Sequence, residues 1–195
     1  GSARIRPFHR ALRPCAPVDP ETLMPPYEPP PLIAPSLRAL RDYMHVFYPE
    51  RARTAPIPLD FWSESDDEIF LDMLGYLPLH LTDDALARLD ELPEAFRIAY
   101  PVFRLEDDYE VNGWTALLNA GEDLLPSAVA AYERAGMTSE AQALAAALES
   151  IRANPGDEHA AERAYKSVPN RYSDDDTRLR ELLRFFRGNA VLWVE

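Results

Sequence analysis

The sequence predicts an all-α protein, a compact bundle of about seven to nine helices that follows an extended, proline-rich N-terminal arm. Three observations predict this fold class. Thirteen of the 19 prolines lie within residues 1–58, so most of that stretch cannot be helical. After it, apolar residues recur at helical spacing behind residues that commonly cap helices. No convincing alternation of apolar and polar residues marks a strand, and only AVLWV at residues 190–194 looks extended.

Residues 1–35 are predicted to form the arm, and residues 36–195 the helical domain. The stretch PCAPVDPETLMPPYEPPPLIAP cannot be helical, because proline removes a hydrogen-bond donor and restricts the residue before it. Its large apolar residues are Leu23, Met24, Tyr27, Leu32 and Ile33. A freely disordered tail carries fewer of these. We therefore expect the arm to dock on the helical body or on a neighbouring subunit, and the second arrangement would form a homodimer.

The first two helices follow recognisable start signals. Ser36 is predicted to cap the helix LRALRDYMHVFY, in which the apolar residues share one face. Residues 65–68, SDDE, form a capping box before the second helix, so Ser65 is its predicted cap. Pro78 is expected to end that helix, because proline cannot continue the hydrogen-bond ladder.

Two further helices are predicted before residue 112. Thr82, followed by two aspartates, opens the third helix. Pro93 suits the first position of the fourth, PEAFRIAYPVFRLEDDYEV. Pro101 lies inside this helix and is expected to kink or break it.

Residues 110–137 contain three of the seven glycines of the chain. The turn residues of this stretch are Asn112, Gly113, Asn119, Gly121 and Gly136. Asparagine and glycine permit positive φ, so the chain is expected to reverse twice within about ten residues. Asn112 is predicted to cap the short helix GWTALL, and Gly136 to terminate the next helix. Trp114, Leu117 and Leu118 are the expected core anchors of this corner.

Three helices are predicted after the corner. The pair Thr138-Ser139 is expected to cap SEAQALAAALESIRA, which ends at the turn Asn-Pro-Gly of residues 154–156. A shorter helix covers DEHAAERAYKSV. Ser173 and the three aspartates after it are expected to cap the last long helix, TRLRELLRFFRG.

The net charge of −13 is concentrated in the middle of the chain. Residues 60–110 carry 15 Asp or Glu and only three Arg. Phosphate contacts need Lys and Arg, so direct nucleic-acid binding is not expected here. A field of one sign steers partners of the opposite sign, so the expected partner is a basic protein surface; plain solubility is the competing interpretation. The predicted protein-binding residues are Glu64, Asp66, Asp67, Asp83, Asp84, Glu106, Asp107 and Asp108.

The sequence contains no recognisable catalytic constellation, so no enzymatic activity, metal or cofactor is predicted. Cys15 is the only cysteine, and the four histidines are scattered. A helix that carries His159 and Glu162 could donate two metal ligands, but the second copy that a di-metal bundle requires is absent. No Walker loop or nucleophile elbow occurs. No apolar run is long enough to span a membrane, and a cytoplasmic location is expected.

The same corner carries a family resemblance. Val111, Asn112, Gly113 and the aromatic Trp114, followed by Asn119 and Gly121, resemble the signature of the bacterial DNA-mimic protein family. The segments AYERAGM and RYSDDDTRLRELLRFFRGNA resemble later parts of the same pattern. The resemblance covers roughly residues 60–190. The spacing between the two asparagines is two residues shorter than in the family pattern, and the second glycine and a glutamine of that pattern are missing.

The resemblance implies an all-helical acidic protein that presents carboxylates in the manner of DNA phosphates and occupies a DNA-binding protein. An alternative from another class is an immunity protein, an acidic inhibitor that neutralises a cognate bacterial toxin. A third interpretation is a helical domain whose charge has no role in binding. A toxin gene directly upstream would favour immunity, whereas a regulator gene with a helix-turn-helix would favour mimicry.

Overall fold

The structure, a computed structural model, describes residues 29–50 and 64–193, and it confirms the all-α prediction for this part of the chain. Eight α-helices and two short 3₁₀ helices occur there, with no strand. The α-helices are α1 (Ala34–Phe47), α2 (Asp67–Leu79), α3 (Asp83–Ala87), α4 (Glu94–Asn112), α5 (Thr115–Arg134), α6 (Thr138–Ala153), α7 (Glu158–Ser167) and α8 (Asp175–Gly188). The 3₁₀ helices are Leu89–Glu91 and Ala190–Trp193. The C-terminal segment expected to be extended therefore begins as a 3₁₀ turn, in which Trp193 packs against Phe96.

Most of the predicted arm, residues 1–28, lies outside the described residues, as do Leu23, Met24 and Tyr27. The division into an arm and a helical domain and the docking of the arm stay predictions. The described end of the arm is a turn, because the Ile33 amide donates to the Pro30 carbonyl at 3.0 Å. Ile33 is fully buried in the helical core.

Helices α1 and α6 begin without the side-chain caps that were predicted. α1 starts at Ala34, before Ser36, because a proline fits the first helical turn. Ser36 is instead buried, and its hydroxyl donates to the Leu77 carbonyl of α2. α6 starts at Thr138, which is helical itself and caps nothing. A hydroxyl in the first turn of a helix can thus donate to an acceptor of a neighbouring helix instead of capping its own.

Aspartates cap α2 and α8; Ser65 was predicted for α2, and Ser173 together with the three aspartates after it for α8. The Asp66 carboxylate, not Ser65, accepts the first free amides of α2. Asp174, not Ser173, does the same for α8 by accepting from the Thr177 amide at 2.8 Å. Serine and aspartate have similar capping preferences, so composition alone does not separate neighbouring candidates. At α3 the predicted cap is confirmed, since the Thr82 hydroxyl accepts from the Ala85 amide at 3.3 Å.

Prolines interrupt the helices less than predicted. α4 runs unbroken through Pro101, and α2 ends one residue beyond Pro78. Pro93 stands just before α4 rather than at its first position. A proline inside a helix costs about 3 kcal/mol in isolation. At Pro101 the cost is offset by burial, because Pro101 itself and the nearby Ala99 and Val102 are buried.

The predicted double reversal between α4 and α5 is confirmed. Gly113 (φ 56°, ψ −134°) follows α4, and Gly121 (φ 47°, ψ −146°) breaks α5 after its first six residues. These conformations are accessible essentially to glycine alone. Gly136, with φ 76°, follows the end of α5 as predicted.

Two details of this corner differ from the prediction. Asn112 is the last residue of α4 and does not cap the next helix; its amide donates to the Asp108 carboxylate at 2.5 Å. Trp114 and Leu118 are half-buried rather than central anchors, whereas Leu117 is fully buried. The Trp114 ring packs edge-on against Tyr109, with 5.9 Å between ring centroids.

Four consecutive helices form the main body of the described structure. α5 packs against both α4 and α6, and α7 covers α6. α2 packs on α4, while α1 and α8 pack on α2. Helix α2 therefore contacts α1, α4 and α8, and the groove described below lies among these four helices. Within the described residues, no helix combines the length and the apolar character needed to cross a membrane.

Candidate functional site

The eight predicted acidic residues do not share one environment. Asp66, Asp67, Asp83, Asp84 and Asp107 are exposed, Asp108 and Glu106 are partly buried, and Glu64 is buried. Burial removes Glu64 from any surface that a partner could contact directly, whereas Glu106 lines the groove described below. The remaining carboxylates are divided among the starts of α2 and α3 and the end of α4.

Glu106 is a structural residue that joins three helices. Its carboxylate accepts from the Arg178 guanidinium of α8, with 2.8 Å between Nη2 and Oε2, and the side chains are only 9% and 4% exposed. The Tyr132 hydroxyl of α5 donates to the same carboxylate. Burial is the main cause that raises the pKa of Tyr132, so this hydroxyl stays a donor. Arg178 also contacts Asp175 at 2.6 Å, which extends the network to the protein surface.

The carboxylates at the start of α2 also have structural partners. Glu64 is buried and accepts from the Asp66 amide at 2.8 Å. Asp66 caps the helix, and the exposed Asp67 forms an ion pair with Arg187 of α8. These three residues fix the start of α2 against α8.

Asp83 and Asp84 are the most freely presented of the predicted carboxylates. Both lie exposed in the first turn of α3, where the helix dipole favours negative charge. Asp84 has one cationic neighbour, Arg88 at 3.9 Å, and that ion pair is exposed. Such pairs contribute little to stability. This pair of aspartates is therefore available to a partner at small cost to the fold.

Asp108 explains why the corner needs two asparagines. Its carboxylate accepts from Asn112 at 2.5 Å and from Asn119 at 3.2 Å, across the turn at Gly113. The two amides neutralise no charge but hold the carboxylate in place. Asp108, one of the predicted acidic residues, thus contacts both asparagines of the predicted structural motif.

A groove between α1, α2, α4 and α8 gathers carboxylates that the sequence analysis did not group. Its volume is about 500 Å³. Its acidic lining residues are Asp72, Glu106, Asp107, Glu110 and Asp175, and its aromatic ones are Tyr43, Tyr76, His80, Phe103 and Tyr109. The lining, all of it in the described part of the chain, includes no Lys or Arg. The groove is therefore both acidic and aromatic.

Tyrosine hydroxyls orient one carboxylate of this groove. Asp72 accepts from Tyr43 at 3.2 Å and from Tyr48. The hydrogen bond to Asp72 is the main cause that raises the pKa of Tyr48, whereas burial is the main cause for Tyr43. The Tyr43 ring stacks on Tyr76 at 4.3 Å between centroids, and Tyr76 stacks on His80 at 3.7 Å. Asp72 thus stands at the edge of an ordered aromatic layer.

Sequence reasoning missed Asp72, Glu110 and Asp175 as members of one site. Asp72 and Tyr76 are four residues apart and so share one face of α2. That spacing was a visible signal. The approach of Glu110 and Asp175 to this face depends on how α4 and α8 pack, which local spacing does not encode.

A second buried carboxylate lies away from the groove. Glu140 of α6 is fully buried and accepts from the Tyr165 hydroxyl at 2.7 Å and from the Asn170 amide at 2.5 Å. Burial raises the pKa of Glu140, although these donors and Arg178 act in the opposite direction. In the described residues, no three His, Cys, Asp or Glu are grouped so as to hold a metal ion. The absence of a catalytic or metal site stays a prediction for the whole chain.

The Glu140→Gln variant is expected to gain stability relative to the wild type as the pH rises. Because the folded pKa of Glu140 lies above its ordinary value of 4.5, the folded state binds this proton more tightly than the unfolded state. The carboxyl group therefore disfavours folding increasingly between about pH 4 and about pH 7, and glutamine lacks this titration. Urea unfolding of both proteins at the two pH values measures the difference. A difference that stays constant or reverses would contradict the buried, pKa-shifted carboxyl group.

Comparison with known proteins gives one family. The family model described as DMP19-like protein matches residues 90–190, slightly more than half of the chain. The match begins at the 3₁₀ turn before α4 and includes the glycine corner, Glu106 and Arg178. It confirms the relationship to the DNA-mimic family. No protein of curated function and no solved structure matches the chain.

Proposed function

Because the chain belongs to the DMP19-like protein family, we propose that it binds a basic surface of another protein, in the manner of a DNA mimic, and that it acts by occupancy rather than catalysis. The partner would be a DNA-binding protein, and the place of action the cytoplasm of a bacterium. One observation carries the proposal. Exposed carboxylates accumulate between residues 66 and 107, and for Asp84 and Asp107 the cationic neighbour lies as far as 3.9 Å away.

Electrostatics gives this surface a role in association. Asp83, Asp84 and Asp107 are exposed, and the nearest Arg nitrogens to Asp84 and Asp107 lie 3.9 Å away. Uncompensated charges of one sign raise the rate at which an oppositely charged surface is encountered. A DNA-binding surface is rich in Lys and Arg, which makes it the expected complement.

Partner capture followed by DNA competition tests the proposal. The immobilised full chain is exposed to an extract of its source organism, and the captured basic protein is identified and purified. Duplex DNA carrying that protein's binding site is then expected to release it from the chain, because both occupy the same basic surface. A partner that is a secreted toxin and is not displaced by DNA would favour the immunity alternative. A partner without a basic surface would contradict the proposal.

The variant Asp83→Asn/Asp84→Asn is expected to weaken the affinity for that partner by about fivefold, mainly through slower association. The matched control is Asp123→Asn/Glu133→Gln, which removes the same charge from exposed positions of α5 outside the acidic region. Stopped-flow or surface-plasmon kinetics measure both variants beside the wild type. Equal losses in the two variants would show that net charge, and not this surface, sets the affinity.

A further inference from the structure

We propose that the groove between α1, α2, α4 and α8 receives an arginine side chain from a basic segment of the partner. This inference rests on the proposed function, since it names the group that the acidic protein recognises. It concerns a part of the surface that only partly coincides with the acidic residues predicted from the sequence. Asp72, Glu110 and Asp175 are the additional carboxylates.

Charge complementarity is the first argument. Two of its carboxylates, Glu106 and Asp175, are already paired with Arg178. Asp72 accepts only tyrosine hydroxyls, and Glu110 has no ion pair within the described chain. Glu106 and Asp175 are thus balanced by a cation of this chain, while Asp72 and Glu110 are not. A cationic side chain of a partner would balance the charge of these two carboxylates.

The carboxylates indicate which cation fits. Tyr76 lies between Tyr43, 4.3 Å away, and His80, 3.7 Å away between ring centroids, so its faces are covered and an entering cation meets the Asp72 carboxylate beside them. A guanidinium is planar and donates two parallel hydrogen bonds to a carboxylate, whereas an ammonium is a compact and strongly hydrated point charge. The carboxylates of Asp72 and Glu110 therefore favour arginine over lysine.

A divalent metal ion is a weaker candidate for the same space. No three carboxylate or histidine side chains of the described chain are grouped as metal ligands. The carboxylates of the groove are instead spread over three helices, which suits an extended organic cation. The α1–α2 wall lies outside residues 90–190, the part of the chain that the family model matches.

Peptide binding to the full chain tests the inference without the natural partner. The probe is a fluorescent glycine-rich peptide that carries arginines, with matched peptides that carry lysine or the uncharged citrulline. The affinity measured by fluorescence anisotropy is expected to fall in the order arginine peptide, lysine peptide, citrulline peptide. The substitutions Asp72→Asn and Glu110→Gln are each expected to lower the affinity for the arginine peptide by about tenfold, because each loses a charge-assisted hydrogen bond. Asparagine at position 72 can still accept from the two tyrosine hydroxyls, so the groove itself is retained.

The control is Asp123→Asn/Glu133→Gln on α5, which is expected to change peptide affinity by less than about twofold, since neither residue lines the groove. Equal losses in groove and control variants would overturn the inference, and so would lysine binding as tightly as arginine. A different result would contradict the proposed function. If peptide binding requires Asp72 but no partner is displaced by DNA, the arginine site is supported and DNA mimicry is contradicted. If partner binding requires Asp83 and Asp84 but not Asp72, the proposed function is supported and the arginine site is contradicted.

Discussion

Replacing Arg178 with methionine is expected to lower the free energy of unfolding by about 3–5 kcal/mol, because it leaves a buried carboxylate without its cation. Arg178 is 3% exposed and donates to Glu106 and to the Tyr172 carbonyl, the latter at 3.1 Å. The variant therefore removes hydrogen bonds from α4 and from the segment before α8 together. Urea unfolding at neutral pH measures the loss.

The control for this variant is Arg184→Met in the same helix. The Arg184 side chain is 69% exposed, and its ion pair with Glu181 lies on the surface. Its removal is expected to change the unfolding free energy by less than about 0.5 kcal/mol. The double variant Glu106→Gln/Arg178→Met is expected to be less destabilised than Arg178→Met alone, since no unpaired charge is buried. Equal stabilities of the two arginine variants would show that the buried ion pair does not join these helices.

Replacing both corner glycines, Gly113 and Gly121, with alanine is expected to destabilise the protein by about 4 kcal/mol. Each replacement forces a side chain into a backbone conformation that costs about 1–3 kcal/mol for residues other than glycine. Space is not the cause, because nothing lies within 4 Å of a Cβ built at either position. The effect therefore reports the backbone conformation alone. Thermal and urea unfolding of the double variant measure it.

Gly75→Ala is the matched control for the glycines. Gly75 lies inside α2 without a positive φ, and a Cβ there meets only Phe103 at an ordinary 3.5 Å. Alanine at this position is expected to stabilise the helix by about 0.5–1 kcal/mol. A corner variant as stable as the wild type would mean that the chain does not turn at Gly113 and Gly121 as described.

Local signals in the sequence were sufficient for the fold class and for the glycine turns of the corner. Glycines at 113, 121 and 136 mark backbone positions with positive φ, and such positions are read directly from composition and spacing. Thr82 was also identified correctly as a helix cap. Each of these features depends on a few residues that are neighbours in the sequence.

Features that depend on packing were not predicted. Pro101 was expected to break α4, but the buried surface around it keeps the helix continuous. Glu106 belongs to an acidic run, and only its approach to Arg178, 72 positions further along, makes it a core residue. The groove depends in the same way on contacts between helices distant in sequence. For Asp72 the visible signal was its spacing from Tyr76, but its partners on α1 were not visible.

The salt dependence of partner affinity tests the central claim that the acidity serves binding. Isothermal titration calorimetry with the purified partner at about 0.05 M and about 0.5 M salt compares the wild type with Asp83→Asn/Asp84→Asn. The dissociation constant of the wild type is expected to rise at least about tenfold over this range, because exposed charges are screened within a few ångströms at high salt. The variant should show a smaller rise. An affinity that is unchanged by salt and equal in both proteins would mean that the carboxylates serve solubility alone, and it would contradict the proposed function.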